Sequence, residues 1–115
     1  MDEPLPHERL DVYRCSIEWT SLSHQFLQRL SRGDSELRDQ LRRASLSIPL
    51  NIAEGTGKGD VPDRVRFHRI ARGSALECAA LADVLAIQGV ISAEEHARAK
   101  ELLRRISAML TAMCR

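Results

Sequence analysis

Leu37, Leu41, Ala44, Ile48 and Ile52 recur three or four positions apart, and Pro49 stands among them. That period lays an apolar stripe along one side of a helix. Pro49 has no N–H and its ring crowds the carbonyl of Ser45, so a kinked helix is expected over residues 35–55. The same stretch, LRRASLSIPLNIAEGTGK at residues 41–58, also carries Ser47, Asn51 and Glu54. A later stretch, IARGSALE at residues 70–77, places Arg72, Ser74 and Glu77 in another helical pattern. Buried polar groups require partners, so the two stretches are expected to face each other.

Turn signals divide the rest of the chain. A first helix is expected over residues 8–30, after a flexible tail at residues 1–7. It has two apolar stripes, Leu10–Tyr13–Ile17–His24–Leu27 and Cys15–Trp19–Leu22–Phe26–Leu30. A helix apolar on two faces has one to bury in its own core and one to bury elsewhere. Residues 31–34 supply a turn, and Ser35 with Glu36 suits the start of the second helix. Gly55, Gly57 and Gly59 end it.

The third helix is expected to start near Asp60 or Pro62, with Asp60 or Asp63 as cap. Phe67, Ile70, Ser74, Cys78, Leu81 and Leu85 mark its expected inner face, and Gly89 stops it. Ser92 with Glu95 forms a capping box for a fourth helix, whose stripe is Ala99–Leu102–Ile106–Met109–Met113. Short connections between such helices give an all-α, antiparallel up-down-up-down four-helix bundle, a single domain over residues 8–115. Hydrophobic residues are 43% of the 115 but aromatics only 3%, which suits helices better than a sheet sandwich.

A hairpin turn centred near Gly59 or Asp60 sets Ser47 opposite Gly73, two small residues that allow close approach. The same register sets Arg43 level with Glu77, Glu54 level with Arg66, and Asn51 near Arg69 and Arg72. The expected structural polar network is therefore Arg43, Ser47, Asn51, Glu54, Arg72, Ser74 and Glu77. In such a network, Glu77→Ala is expected to destabilise the fold clearly.

Catalytic chemistry finds no foothold. No Ser or Cys sits in a nucleophile motif such as G-x-S-x-G. The histidines His7, His24, His68 and His96 lack the Glu-x-x-His spacing of a di-metal bundle, so neither a metal nor another cofactor is expected. His24 is expected in the helix core or at an interface. EGTGKGD resembles a phosphate loop, but a helix precedes it, Ile52 stands where the first Gly belongs and Gly59 replaces the Ser or Thr, which leaves a glycine-rich turn. Cys15, Cys78 and Cys114 have no metal or redox spacing. No leader is visible, and no apolar run approaches the roughly 20 residues that span a bilayer, so a cytoplasmic protein is expected.

Charge gives the best functional signal. The net charge is only +1, from 17 basic and 16 acidic residues. Locally, however, Lys58, Arg64, Arg66, Arg69 and Arg72 outweigh Asp60 and Asp63 by three charges. Such a patch is either a solvated, salt-bridged helix face or a site for nucleic-acid phosphates. Repeated around a ring of subunits, it becomes a basic rim.

The IP-x-NIAEG element followed by ARGS-x-x-E, within a frame running from LDVYRCSIEW to the last helix, resembles the four-helix bundle family named for the 23S rRNA intervening sequence protein. The matching residues are Pro49, Asn51, Glu54, Gly55, Arg72, Gly73, Ser74 and Glu77, with structural roles implied. More distantly, the chain is similar to the accessory variability determinant of diversity-generating retroelements, a pentameric barrel of bundles that binds nucleic acid and a reverse transcriptase. The resemblance implies a ring-shaped homopentamer, and the lack of catalytic motifs leads to the expectation that it is not an enzyme. An adaptor for RNA or DNA is one expectation, and a scaffold for a protein partner the other.

Overall fold

The computed structural model describes residues 2–115. Among them the fold is all-α, with four helices and no strand: α1 (Asp11–Arg29), α2 (Ser35–Thr56), α3 (Val61–Ile87) and α4 (Ala93–Met113). Each helix packs on the next and α4 closes back on α1, whereas the backbones of α1 and α3 do not approach each other closely. The result is a four-helix bundle with α1 and α3 on a diagonal.

Local chemistry accounts for the helix ends. Asp60 accepts from the Asp63 N–H at 2.8 Å, and Pro62 occupies the first turn of α3. Ser92 accepts from the Glu95 N–H at 3.1 Å while Glu95 accepts from the Ser92 N–H at 2.9 Å, the reciprocal capping box of α4. Gly89, beyond the end of α3, has φ +74°, a conformation that costs glycine nothing. α1 starts at Asp11 rather than near residue 8, because Pro6–Arg9 forms a separate 3-10 turn that sets His7 edge-on against Tyr13. Asp34, not Ser35, precedes the first residue of α2. Arg38 closes the turn before α2 by donating to the Leu30 and Ser31 carbonyls at 2.6 and 3.1 Å.

The core is made from one stripe of each helix. Trp19, Phe26, Leu41, Ile48, Ile52, Leu85, Leu103, Ile106 and Leu110 are fully buried. Each aliphatic side chain buried in this way contributes about 1.5–3 kcal/mol. Of the two α1 stripes, Cys15–Trp19–Leu22–Phe26–Leu30 faces the core, while Ile17 and His24 are exposed. α2 runs through Pro49 as one helix, with Pro49 itself buried.

α3 departs most from the sequence expectation. Its buried residues are His68, Ala71, Ala75, Cys78, Ala82 and Leu85. Phe67, Ser74 and Leu81 are only half-buried, and Ile70 is exposed. Apolar residues occupy most of the circumference of α3, so periodicity alone leaves its rotation open. Tertiary packing chooses the small-residue face, which lets α3 lie close against its neighbours and leaves larger apolar side chains outside.

Candidate nucleic-acid interface

The end of α2 and the start of α3 converge through a glycine. A Cβ built on Gly55 would lie 2.8 Å from Cδ2 of His68 and 3.0 Å from Cβ of Phe67. A carbon has no room there, so this position of the NIAEG element must be glycine for the two helices to meet. Gly73, by contrast, faces open space. Ser47 meets Ser74 instead, and the close approach lies beside the turn between α2 and α3.

His68 is buried in this junction. Thr56 donates its hydroxyl to the Ile52 carbonyl at 2.7 Å, leaving its oxygen to face His68 Nε2 at 3.4 Å. Desolvation holds the imidazole below its ordinary pKa, and the Arg64 charge pushes the same way. The Nε of Arg64 is buried without a hydrogen-bond partner among the described residues.

Phe67, adjacent to His68, gathers cations. The Arg66 guanidinium lies over its ring at 4.4 Å and the Lys58 ammonium at 5.3 Å. Arg66 also approaches Asp63 at 3.8 Å, with 61% of its side chain still exposed. Arg69 is exposed and Arg72 half-buried on the following turns of α3. The structure thus brings Lys58 and Arg66 together on an aromatic ring that the charge pattern alone did not single out. Arg64 instead has its Nε buried, and its charge acts on His68.

The residues expected to form a polar network separate into two groups. Ser47, Asn51 and Ser74 are joined: Asn51 Nδ2 donates to the Ser47 carbonyl at 2.8 Å and to its Oγ at 3.0 Å, and the Ser74 hydroxyl donates to the Ser47 Oγ at 2.7 Å. Arg43, Glu54 and Glu77 are exposed, Arg72 is half-buried, and none of the four forms an ion pair among the described residues. Long charged side chains at the rim of a helix pair reach solvent more easily than each other.

Three polar contacts were not foreseen. Arg29 makes a bidentate pair with Glu95 at 2.7 and 2.6 Å, tying the end of α1 to the start of α4. That pair and the Ser92 N–H pull the Glu95 carboxyl down to about 2. Asp83 on α3 accepts from His96 Nε2 at 2.7 Å and from Lys100 Nζ at 2.9 Å on α4, which holds its carboxyl below the usual range. Cys78 lies in the core beside Ser45 at 3.7 Å, and burial raises its thiol to about 11, far from nucleophilic use. Pairings across different helices leave no local spacing for a sequence reader to find.

Among the described residues, no group of three His, Cys, Asp or Glu is placed to hold a metal ion, and no helix is long and apolar enough to cross a membrane. No curated protein matches the chain. Among solved structures it is similar to a protein of unknown function from the S23 ribosomal protein family of Bacteroides thetaiotaomicron VPI-5482. The TM-score is 0.82 at 21% identity, over 90% of this chain and 98% of that one. At that identity the likeness speaks for the fold. Neither that neighbour nor the family is assigned an enzymatic activity. The family model described as the 23S rRNA-intervening sequence protein matches residues 8–112, nearly the entire chain, and the protein belongs to that family.

Proposed function

We propose that this protein is a non-enzymatic, cytoplasmic adaptor that assembles as a ring-shaped homopentamer of antiparallel, up-down-up-down bundles and holds RNA or DNA at the start of α3. The observation that carries the nucleic-acid role is the cluster of Arg66 and Lys58 on Phe67, with Arg69 and Arg72 on the following turns. Cations grouped on an aromatic suit a polyanion whose bases stack.

Assembly is supported by two apolar surfaces on different sides of the bundle. Ile17, Leu46 and Leu50 lie exposed on α1 and α2, beside a groove of about 230 Å³ lined by Leu27, Leu46 and His24. Ile70, Leu76, Val84 and Ile87 lie exposed along α3, on the diagonal from α1. Two different patches meet head to tail, and head-to-tail contacts close as rings when the rotation permits. The number five comes from the resemblance to the accessory variability determinant. The antiparallel order is supported by the pairs Ser45–Cys78, Ser47–Ser74 and Thr56–His68, which run backward along α3 as they advance along α2.

The test is native mass spectrometry on protein purified at low salt without nuclease. A pentamer carrying RNA or DNA that is lost at high salt is the expected result, and a bare monomer would overturn it. The second reading, a scaffold for a protein partner, draws on the same α3 stripe. It predicts a bare pentamer and a protein partner that survives nuclease treatment.

A further inference from the structure

Granted the nucleic-acid role proposed above, we infer that the ligand is single-stranded and that Arg66, laid over Phe67, is a stacking platform for an unpaired base. Two features of the geometry separate this site from a general phosphate patch. The Arg66 guanidinium carbon lies over the Phe67 ring, 4.4 Å from its centroid, so the ring backs the cation, yet 61% of the side chain remains exposed. A planar cation backed by an aromatic ring offers its open face to another flat, electron-rich group, as nucleobases are. Asp63 Oδ1, 3.8 Å from the guanidinium, adds a second contact and still leaves most of the Arg66 side chain exposed.

The platform is also held in place from behind. Phe67 is half-buried, its Cβ packed where Gly55 has no side chain, and its neighbour His68 is locked between Gly55 and Thr56. Ordering of the ring is therefore completed in folding rather than on binding. A duplex hides its base faces in its own stack and presents only phosphates to such a surface, whereas an unpaired strand presents both. The exposed Arg69, one turn along, is placed for backbone phosphate and carries no stacking role.

Fluorescence anisotropy with a labelled single-stranded RNA of mixed sequence, and with the same strand annealed to its complement, tests this. The wild-type protein is expected to prefer the single strand. Phe67→Leu, which retains apolar packing, and Arg66→Lys, which retains charge, are each expected to weaken single-strand binding about tenfold while barely changing duplex binding. Arg69→Gln is expected to weaken both ligands alike and to reduce the salt slope by about one. Circular dichroism melts confirm that each variant is folded. Equal affinity for the two ligands, or unchanged single-strand binding in folded Phe67→Leu and Arg66→Lys, would overturn the platform while leaving the adaptor role standing. Absence of binding to either ligand at low salt would overturn both.

Discussion

Gly55 and His68 share one space: a methyl group on Gly55 would lie 2.8 Å from the imidazole Cδ2. Gly55→Ala must push α3 away from α2 or move the ring, and overpacking of this kind costs about 1–3 kcal/mol. Urea denaturation should show that loss. Because the clash is pairwise, Gly55→Ala combined with His68→Ala should cost less than the two single changes added together. Relief should be partial, since Phe67 Cβ also lies within 3.0 Å of the added carbon. Strict additivity would mean that the two helices do not meet at this contact.

His68 should make stability depend on pH near neutrality. Burial lowers its pKa in the fold, whereas the unfolded chain takes up the proton near the ordinary value of about 6.5. Below that value the unfolded state binds more protons, so stability is fully present above it and declines as pH falls toward the depressed folded value. His68→Gln keeps a donor for Thr56 but does not titrate. Melting temperatures measured from neutral to mildly acidic pH should fall less steeply in this variant than in the wild type.

At lower pH the junction of α1 and α4 should respond. Glu95 titrates at about 2 in the fold, so its contribution is present above its ordinary range and is lost as pH falls toward 2. Glu95→Gln should flatten the acid limb of the melting curve. Ser92→Ala removes the cap that fixes Glu95 and should cost about 1 kcal/mol at neutral pH. Chemical denaturation of the two variants checks both statements.

The α2–α3 contact should be sensitive at its middle and indifferent at its rim. Asn51→Ala removes two donations to Ser47 and should cost about 1 kcal/mol. Glu77 is exposed and unpaired among the described residues, so Glu77→Ala should change stability by less than about 0.5 kcal/mol. That outcome is the opposite of what the polar-network expectation requires, and thermal melts of the two variants distinguish them.

Charge placed on either apolar surface should break assembly without unfolding the subunit. Leu50 and Ile87 are 64% and 86% exposed, on α2 and α3 respectively. Leu50→Glu and Ile87→Glu should each shift light-scattering mass toward the monomer with unchanged helical content. If neither variant changes the mass of an assembled wild type, the head-to-tail arrangement is wrong.

Sequence alone determined the ends of α3 and the start of α4, whereas the 3-10 turn at Pro6–Arg9 moved the start of α1 to Asp11. Asp60, Ser92 with Glu95, and Gly89 act within one turn of themselves, so their chemistry is visible in the order of residues. The stripe Leu41–Ala44–Ile48–Ile52 was legible for the same reason, because the rest of α2 is polar enough to fix its rotation. The IP-x-NIAEG and ARGS-x-x-E elements likewise sufficed to indicate the family.

Tertiary structure decided what lies between helices. α3 is apolar around most of its surface, and only packing against α2 and α4 selected His68–Ala71–Ala75–Cys78–Ala82–Leu85 as its inner face. The same rotation gave Gly55 rather than Gly73 the close contact, joined Ser47 to Ser74, and left Arg43 and Glu77 in solvent. It also carried Phe67 out to meet Arg66 and Lys58, turning a run of charges into a site with a shape. Local order fixes a helix, but the rotation of a helix about its own axis is fixed only by what it touches.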